Sequence, residues 1–144
     1  MAEFGIAGLN VQVLGYQFPG QDDYWDGNWL VVDIRCESAN AQLAFRDSCV
    51  RTDELKDFLR QLEALVNFEA KAATLNTMEP YFKVNVMRDQ SKNGIHSAAV
   101  EFFQIQNQDK REFVFEIQQA ELARIIQRLR GVVTKFPVRG QNDS

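Results

Sequence analysis

Asp22, Asp23, Tyr24, Trp25 and Asp26 follow one another in "GYQFPGQDDYWDGNWLVVDI", residues 15 to 34. Carboxylates at this density could ligate calcium. Their spacing does not follow the D-x-[DN]-x-[DN]-G loop, however, and the glutamate that completes such a site has no counterpart at the required distance. The same five residues could instead anchor a partner protein. Tyrosine and tryptophan dominate interface hot spots, and a carboxylate rim speeds encounter with a basic surface. A structural reading stands beside this one: Tyr16, Phe18 and Trp29 cap a core, the aspartates keep the loop hydrated, and Asp26-Gly27 forms a tight turn into a strand. Both readings stay open at the level of sequence.

Elsewhere the chain offers little to a catalyst. A general acid or base must titrate near working pH, and an activated nucleophile needs its base beside it. The single histidine, His96 in "SKNGIHSAAV", stands at a turn entering a strand with no nucleophile motif near it, so a surface or strand-end position is expected. There is no CxxC, no HExxH, no GxGxxG and no GxxxxGK[ST]. The expectation is a non-enzymatic protein with no catalytic residues, no metal and no cofactor. Cys36 and Cys49 fall on neighbouring strands, but a turn near Asn40 puts Cys36 closer to Gln42 than to Cys49, which predicts two free, buried thiols.

The elements that must position the acidic loop are well marked. "LNVQVLGYQ" from Leu9 alternates as a strand, "NWLVVDIRCE" from Asn28 turns Leu30, Val32, Ile34 and Cys36 one way, and "AQLAFRDSCV" completes a three-stranded meander. In "RTDELKDFLRQLEALVN" the period changes. Leu55, Phe58, Leu59, Leu62, Leu65 and Val66 form one helical stripe, with Thr52 as N-cap and Asp53 and Glu54 in the first turn. After a polar joint from Lys71 to Pro80, "YFKVNVMRD", "SAAVEFFQIQ" and "REFVFEIQ" read as a second meander, which leads into a helix through "QAELARIIQRLRGVVTKF" that Pro137 ends. The two helices align at a constant offset of 67 residues, Glu54, Leu55 and Leu62 meeting Glu121, Leu122 and Leu129. The expected fold is therefore α+β: an antiparallel sheet of about six strands with both helices on one face, in a three-strands-plus-helix order that could be an internal repeat.

A chain of 144 residues with 45% hydrophobic and 25% charged residues suits one domain over 1–144, with halves at 1–67 and 72–137 and a flexible tail at 138–144. No apolar run approaches the roughly 20 residues that cross a bilayer, and the start lacks a signal-peptide pattern, so a cytoplasmic protein is expected. A net charge of −4 argues against a nucleic-acid footprint. The charge is unevenly spread. Residues 1–50 carry seven carboxylates against Arg35 and Arg46, whereas 119–144 carry Arg124, Arg128, Arg130, Lys135 and Arg139 against Glu121 and Asp143. That basic end reads as a solvated helix face, or as a surface pairing with the acidic half of the same chain or of a second subunit.

"GYQFPGQDDYWDGNWLVVDI" followed by "FRDSCVRTDELKDFLRQLEAL" resembles the WapI-like immunity protein family, with Tyr16, Phe18, Pro19, Asn28, Trp29 and Leu30 carrying the likeness and "FPVRG", 136–140, adding to it. The resemblance implies a small cytoplasmic protein that neutralises the toxic domain of a secreted polymorphic toxin, in the name-giving case an RNA-cutting nuclease. Charge and residue types together add the expectation of a basic protein partner, neither nucleic acid nor membrane, with Asp22, Asp23, Tyr24, Trp25 and Asp26 as the binding residues. Self-association as a small homodimeric domain is the alternative.

Overall fold

The computed structural model describes residues 2–89, 91, 93–103 and 110–141. It contains two four-stranded antiparallel sheets rather than one sheet of six strands. The first is the meander β1 (Glu3–Ile6), β2 (Leu9–Tyr16), β3 (Trp29–Glu37) and β4 (Gln42–Arg51), followed by α1 (Thr52–Val66). The second is β5 (Ala72–Asn76), β6 (Phe82–Arg88), β7 (Ile95–Phe102) and β8 (Arg111–Gln118), followed by α2 (Gln119–Lys135). Each half thus carries four strands and a helix. The extra strands are the edge strands β1 and β5, and the stretch 104–106 expected at the end of β7 lies outside the described residues.

Alternation builds the core. Phe4, Ile6, Leu9, Val11, Val13, Leu30, Val32 and Ile34 fill the inner face of the first sheet, and Leu75, Val84, Val86, Val100 and Phe102 that of the second. The faces meet through rings: Phe45 of β4 stands edge-on to Phe102, which in turn contacts Phe82 and Phe113. Both thiols are free and buried, Cys36 pairing in register with Leu43. Burial pushes Cys36 up to about 11 and, aided by Asp47, Cys49 up to about 12, so neither supplies a thiolate at neutral pH.

The helices do not share one face of one sheet. They touch each other, and each leaves its own sheet to lie beside the first strand of the other, α1 along β5 and α2 along β1. At β5 the join is polar: the Gln61 side chain accepts from the Thr74 N–H (2.9 Å) and donates to the Thr74 carbonyl (3.1 Å). The last turn of α1 carries no basic residue. Arg88 of β6 compensates by donating to the Leu65 carbonyl, and its guanidinium lies 4.2 Å from the ring centroid of Phe68, which takes a left-handed backbone at φ 63°.

His96 is a strand-end residue of β7, as expected, but not a surface one. It is 1% exposed, with Nε2 2.6 Å from Gln119 Oε1 at the start of α2. The inward phase of β7, shared with Ala98 and Val100, accounts for the burial. Among the described residues no His, Cys, Asp and Glu grouping could hold a metal ion, and no helix is long and apolar enough to cross a membrane.

Candidate functional site

β4 runs into α1 without an intervening residue, so Arg51 is both the end of a strand and the N-cap of a helix. That junction buries it. At 1% exposure its guanidinium donates from Nη1 to the Trp25 carbonyl (2.7 Å), from Nη2 to the Tyr24 carbonyl (2.8 Å) and from Nε to Asp53 Oδ1 (2.9 Å). The rings of Tyr24, Trp25 and Trp29 surround it, their centroids 5.1, 5.5 and 5.1 Å from the guanidinium carbon. A buried charge is tolerated only when paired and hydrogen-bonded. Here the partners are the Asp53 carboxylate and the backbone of the 17–28 loop, and the loop thereby gains its shape.

Asn28, fully buried, supplies a second fastening. Its Nδ2 donates to the carbonyls of Tyr24 (2.7 Å) and Arg139 (2.9 Å), and its Oδ1 accepts from Thr52 Oγ1 (2.5 Å) and the Arg139 N–H (2.8 Å). Thr52 is the first helical residue rather than the N-cap, because the extended backbone that marks the cap falls on Arg51 (φ −107°, ψ 152°). Arg139 belongs to a strap, 136–140, laid across the loop. Phe136 meets Tyr16 edge-on at 5.3 Å, Tyr16 donates to the Pro137 carbonyl, and Arg139 reaches the carbonyls of Pro19 and Gln21 with its guanidinium carbon 3.5 Å from the Tyr16 ring centroid. Gly140 takes φ 67° and passes so close that a Cβ there would lie 2.6 Å from the Tyr24 nitrogen. Residues 138–140 are therefore packed structure within the stretch 138–144 expected to be a flexible tail; 142–144 lie outside the described residues.

The five residues singled out in sequence thus lie in one turn, in different states. Trp25 is 49% exposed on a backbone that Arg51 holds. Tyr24 is half-buried, edge-on to Trp25, and donates to Asp53 Oδ2 at 3.2 Å. Asp22 and Asp26 are exposed, while Asp23, also exposed, spends a carboxylate oxygen on the Asp26 N–H at 2.9 Å. Phe18, 43% exposed, is no cap on the core. The buried frame of Arg51 and the distant strap were not read as parts of the site, because a charged residue at a strand end resembles any solvated one.

Glu54 ties the loop's base to a neighbouring segment. Oε1 accepts from the Arg51 N–H (2.8 Å) and Oε2 from the N–H of Met78 (2.6 Å), whose side chain is 60% exposed. Burial outweighs these two donors and lifts the carboxyl from its ordinary 4.5 to about 7. A raised folded-state value means that the stability tied to Glu54 is fully present below 4.5 and lost as pH rises through about 7. Denaturant midpoints of the wild type should accordingly fall between about pH 5 and pH 8 by more than those of Glu54→Gln; parallel curves would show that burial does not control this carboxyl.

The model of the family described as "Immunity protein WapI-like family" matches residues 4–137, from β1 to the strap. The chain belongs to the WapI-like immunity protein family. Membership gives this WapI-like protein an immunity function, exercised by binding a toxin partner. No curated protein matches it. Two solved structures are similar to it. "Crystal structures of trypanosoma bruciei MRP1/MRP2" shares 11% identity at a TM-score of 0.49 over 88% of this chain and 74% of that one. "Structure of a guideRNA-binding protein complex bound to a gRNA" shares 12% identity at 0.47 over 86% and 88%.

Proposed function

We propose that this WapI-like immunity protein blocks its toxin by occlusion, without chemistry of its own, seating a basic face of the toxin on the 22–26 loop with Trp25 at the centre and Asp22 and Asp26 at the rim. The observation that carries the proposal is the mounting of Trp25. An exposed indole on a backbone already fixed by Arg51 and Asn28 loses little conformational freedom on binding, so its burial is converted into affinity with little ordering cost. A nuclease toxin suits this face best, because a surface that binds phosphates is basic and the acidic loop presents the same sign of charge as its substrate.

The test is to express the toxin domain encoded beside this protein, with and without it, and to score growth and complex formation. Growth should return with a stable complex. Trp25→Ala combined with Asp22→Ser and Asp26→Ser should weaken that complex by about a hundredfold, and the folded variant should lose only the few degrees of melting temperature that go with the ring flanking Arg51. Asp23 is kept because its carboxylate holds the turn. An unaltered affinity in this triple variant would remove the loop from the interface.

A further inference from the structure

The two halves treat equivalent edges differently. Along α1, Gln61 reaches the outward N–H and C=O of Thr74 on β5 and closes that sheet edge. The offset of 67 that aligns the helices places Arg128 of α2 where Gln61 stands in α1. Arg128 faces β1 across a groove that Gly5 also lines. Val13 donates to the Ala2 carbonyl, so alternate pairing turns Phe4 and Ile6 toward β2 and leaves the N–H and C=O of Gly5 on the outer edge. An arginine has five donors and no acceptor, so it cannot reproduce the two-way bond of a carboxamide. Among the described residues no side chain does so.

The groove continues along one stripe of α2, Arg124, Arg128, Gly131 and Lys135, past the start of β1, as two adjoining cavities of about 350 and 330 Å3 that share Arg128. Glu3 and Glu121 also line them, but Glu3 accepts from Asn10 and Glu121 from the Gln118 N–H, and the three cations outnumber them. Neither Arg124 nor Arg128 makes an ion pair among the described residues. Gly131 is a further oddity. A glycine inside a helix costs stability relative to alanine, and here a Cβ would meet nothing within 4 Å. Among the described residues no neighbour accounts for its smallness.

We infer that the groove between β1 and α2 is a second docking surface, taking an extended peptide segment of a partner protein that carries a carboxylate. The segment's own peptide group bonds Gly5 as the Gln61 amide bonds Thr74, its carboxylate is received by Arg124 and Arg128, and its backbone passes over Gly131. The donor and acceptor offered together at Gly5 select a peptide, whereas a phosphate backbone could use only the arginines. This surface does not depend on the acidic loop being the toxin site.

The test is an amide NMR titration of the full chain with a blocked octapeptide alternating threonine and glutamate, alongside its lysine counterpart and a single-stranded oligonucleotide. The glutamate peptide should shift Gly5, Arg128 and Gly131 together, and neither control should. Arg128→Gln, which supplies the missing carboxamide, should raise the melting temperature by about 2–4 °C and weaken the peptide by about tenfold or more. Gly131→Leu should block the peptide without loss of the fold. No shifts at millimolar peptide, equal shifts with the lysine peptide, or a preference for the oligonucleotide at the arginines would each overturn the proposal, as would Arg128→Gln that still binds.

Discussion

Arg51→Met should destabilise the protein by about 3–5 kcal/mol, the range for removing one partner from a buried charged network. Methionine fills much of the same volume, so the loss is not a cavity effect. It comes from the carbonyls of Tyr24 and Trp25 and the Asp53 carboxylate, which lose donors at 2.7 to 2.9 Å. An unsatisfied group of this kind costs about 1–3 kcal/mol, and the rings of Tyr24, Trp25 and Trp29 lose their cation besides. Urea unfolding measures the total. Hydrogen exchange would place it, with protection falling first across 17–28. Arg51→Lys should recover only part, since one ammonium cannot span three acceptors in the plane of a guanidinium. A loss below about 1 kcal/mol would mean that the loop holds itself, with Arg51 merely enclosed.

Asn28 gives the second large effect, and its sign pattern is diagnostic. Asn28→Ala leaves the carbonyls of Tyr24 and Arg139 and the donors of Thr52 and Arg139 without their partner, at about 2–4 kcal/mol in total. Asn28→Asp keeps the shape and both acceptor contacts, yet should be worse at neutral pH. Its second oxygen would face two carbonyl oxygens at 2.7 and 2.9 Å, in a site with no exposure to water. A carboxyl so placed titrates high, so the variant should regain stability as pH falls, when the proton restores one donor. Chemical denaturation of both variants at two pH values checks the order. If Asp is tolerated better than Ala, the amide orientation assigned to Asn28 is wrong.

Much of the architecture was legible because period and composition agreed. The stripe from Leu55 to Val66 and its counterpart from Leu122 to Val133 are the helices α1 and α2, and the segments around Val32, Val84 and Phe113 are strands. β1 was hidden by its brevity and by the glycines in "FGIAGLN", which weaken a strand pattern. β5, "AATLN", lacks the large branched residues that mark a strand; Ala73 and Leu75 alone face the core, and the Gln61 amide holds the strand's outer edge. The acidic aromatic loop was visible as a cluster. Its support was not, since burial of Arg51 follows from a strand and helix meeting without a linker, and the bond from Asn28 to Arg139 spans 111 positions that no local pattern connects.

That separation also sets a clock. Residues 136–140 complete the seat of the 17–28 loop, so a chain still emerging from the ribosome carries Trp25 and its Arg51 clasp long before the strap closes the other side. At about 5–20 residues per second, the wait amounts to roughly 6–20 s for the 111 intervening positions. During it the aromatic loop is held from the Arg51 side alone. If the loop is the toxin site proposed above, the last part of that seat arrives late, and a chain cut short before the strap should bind its partner more weakly than the full chain.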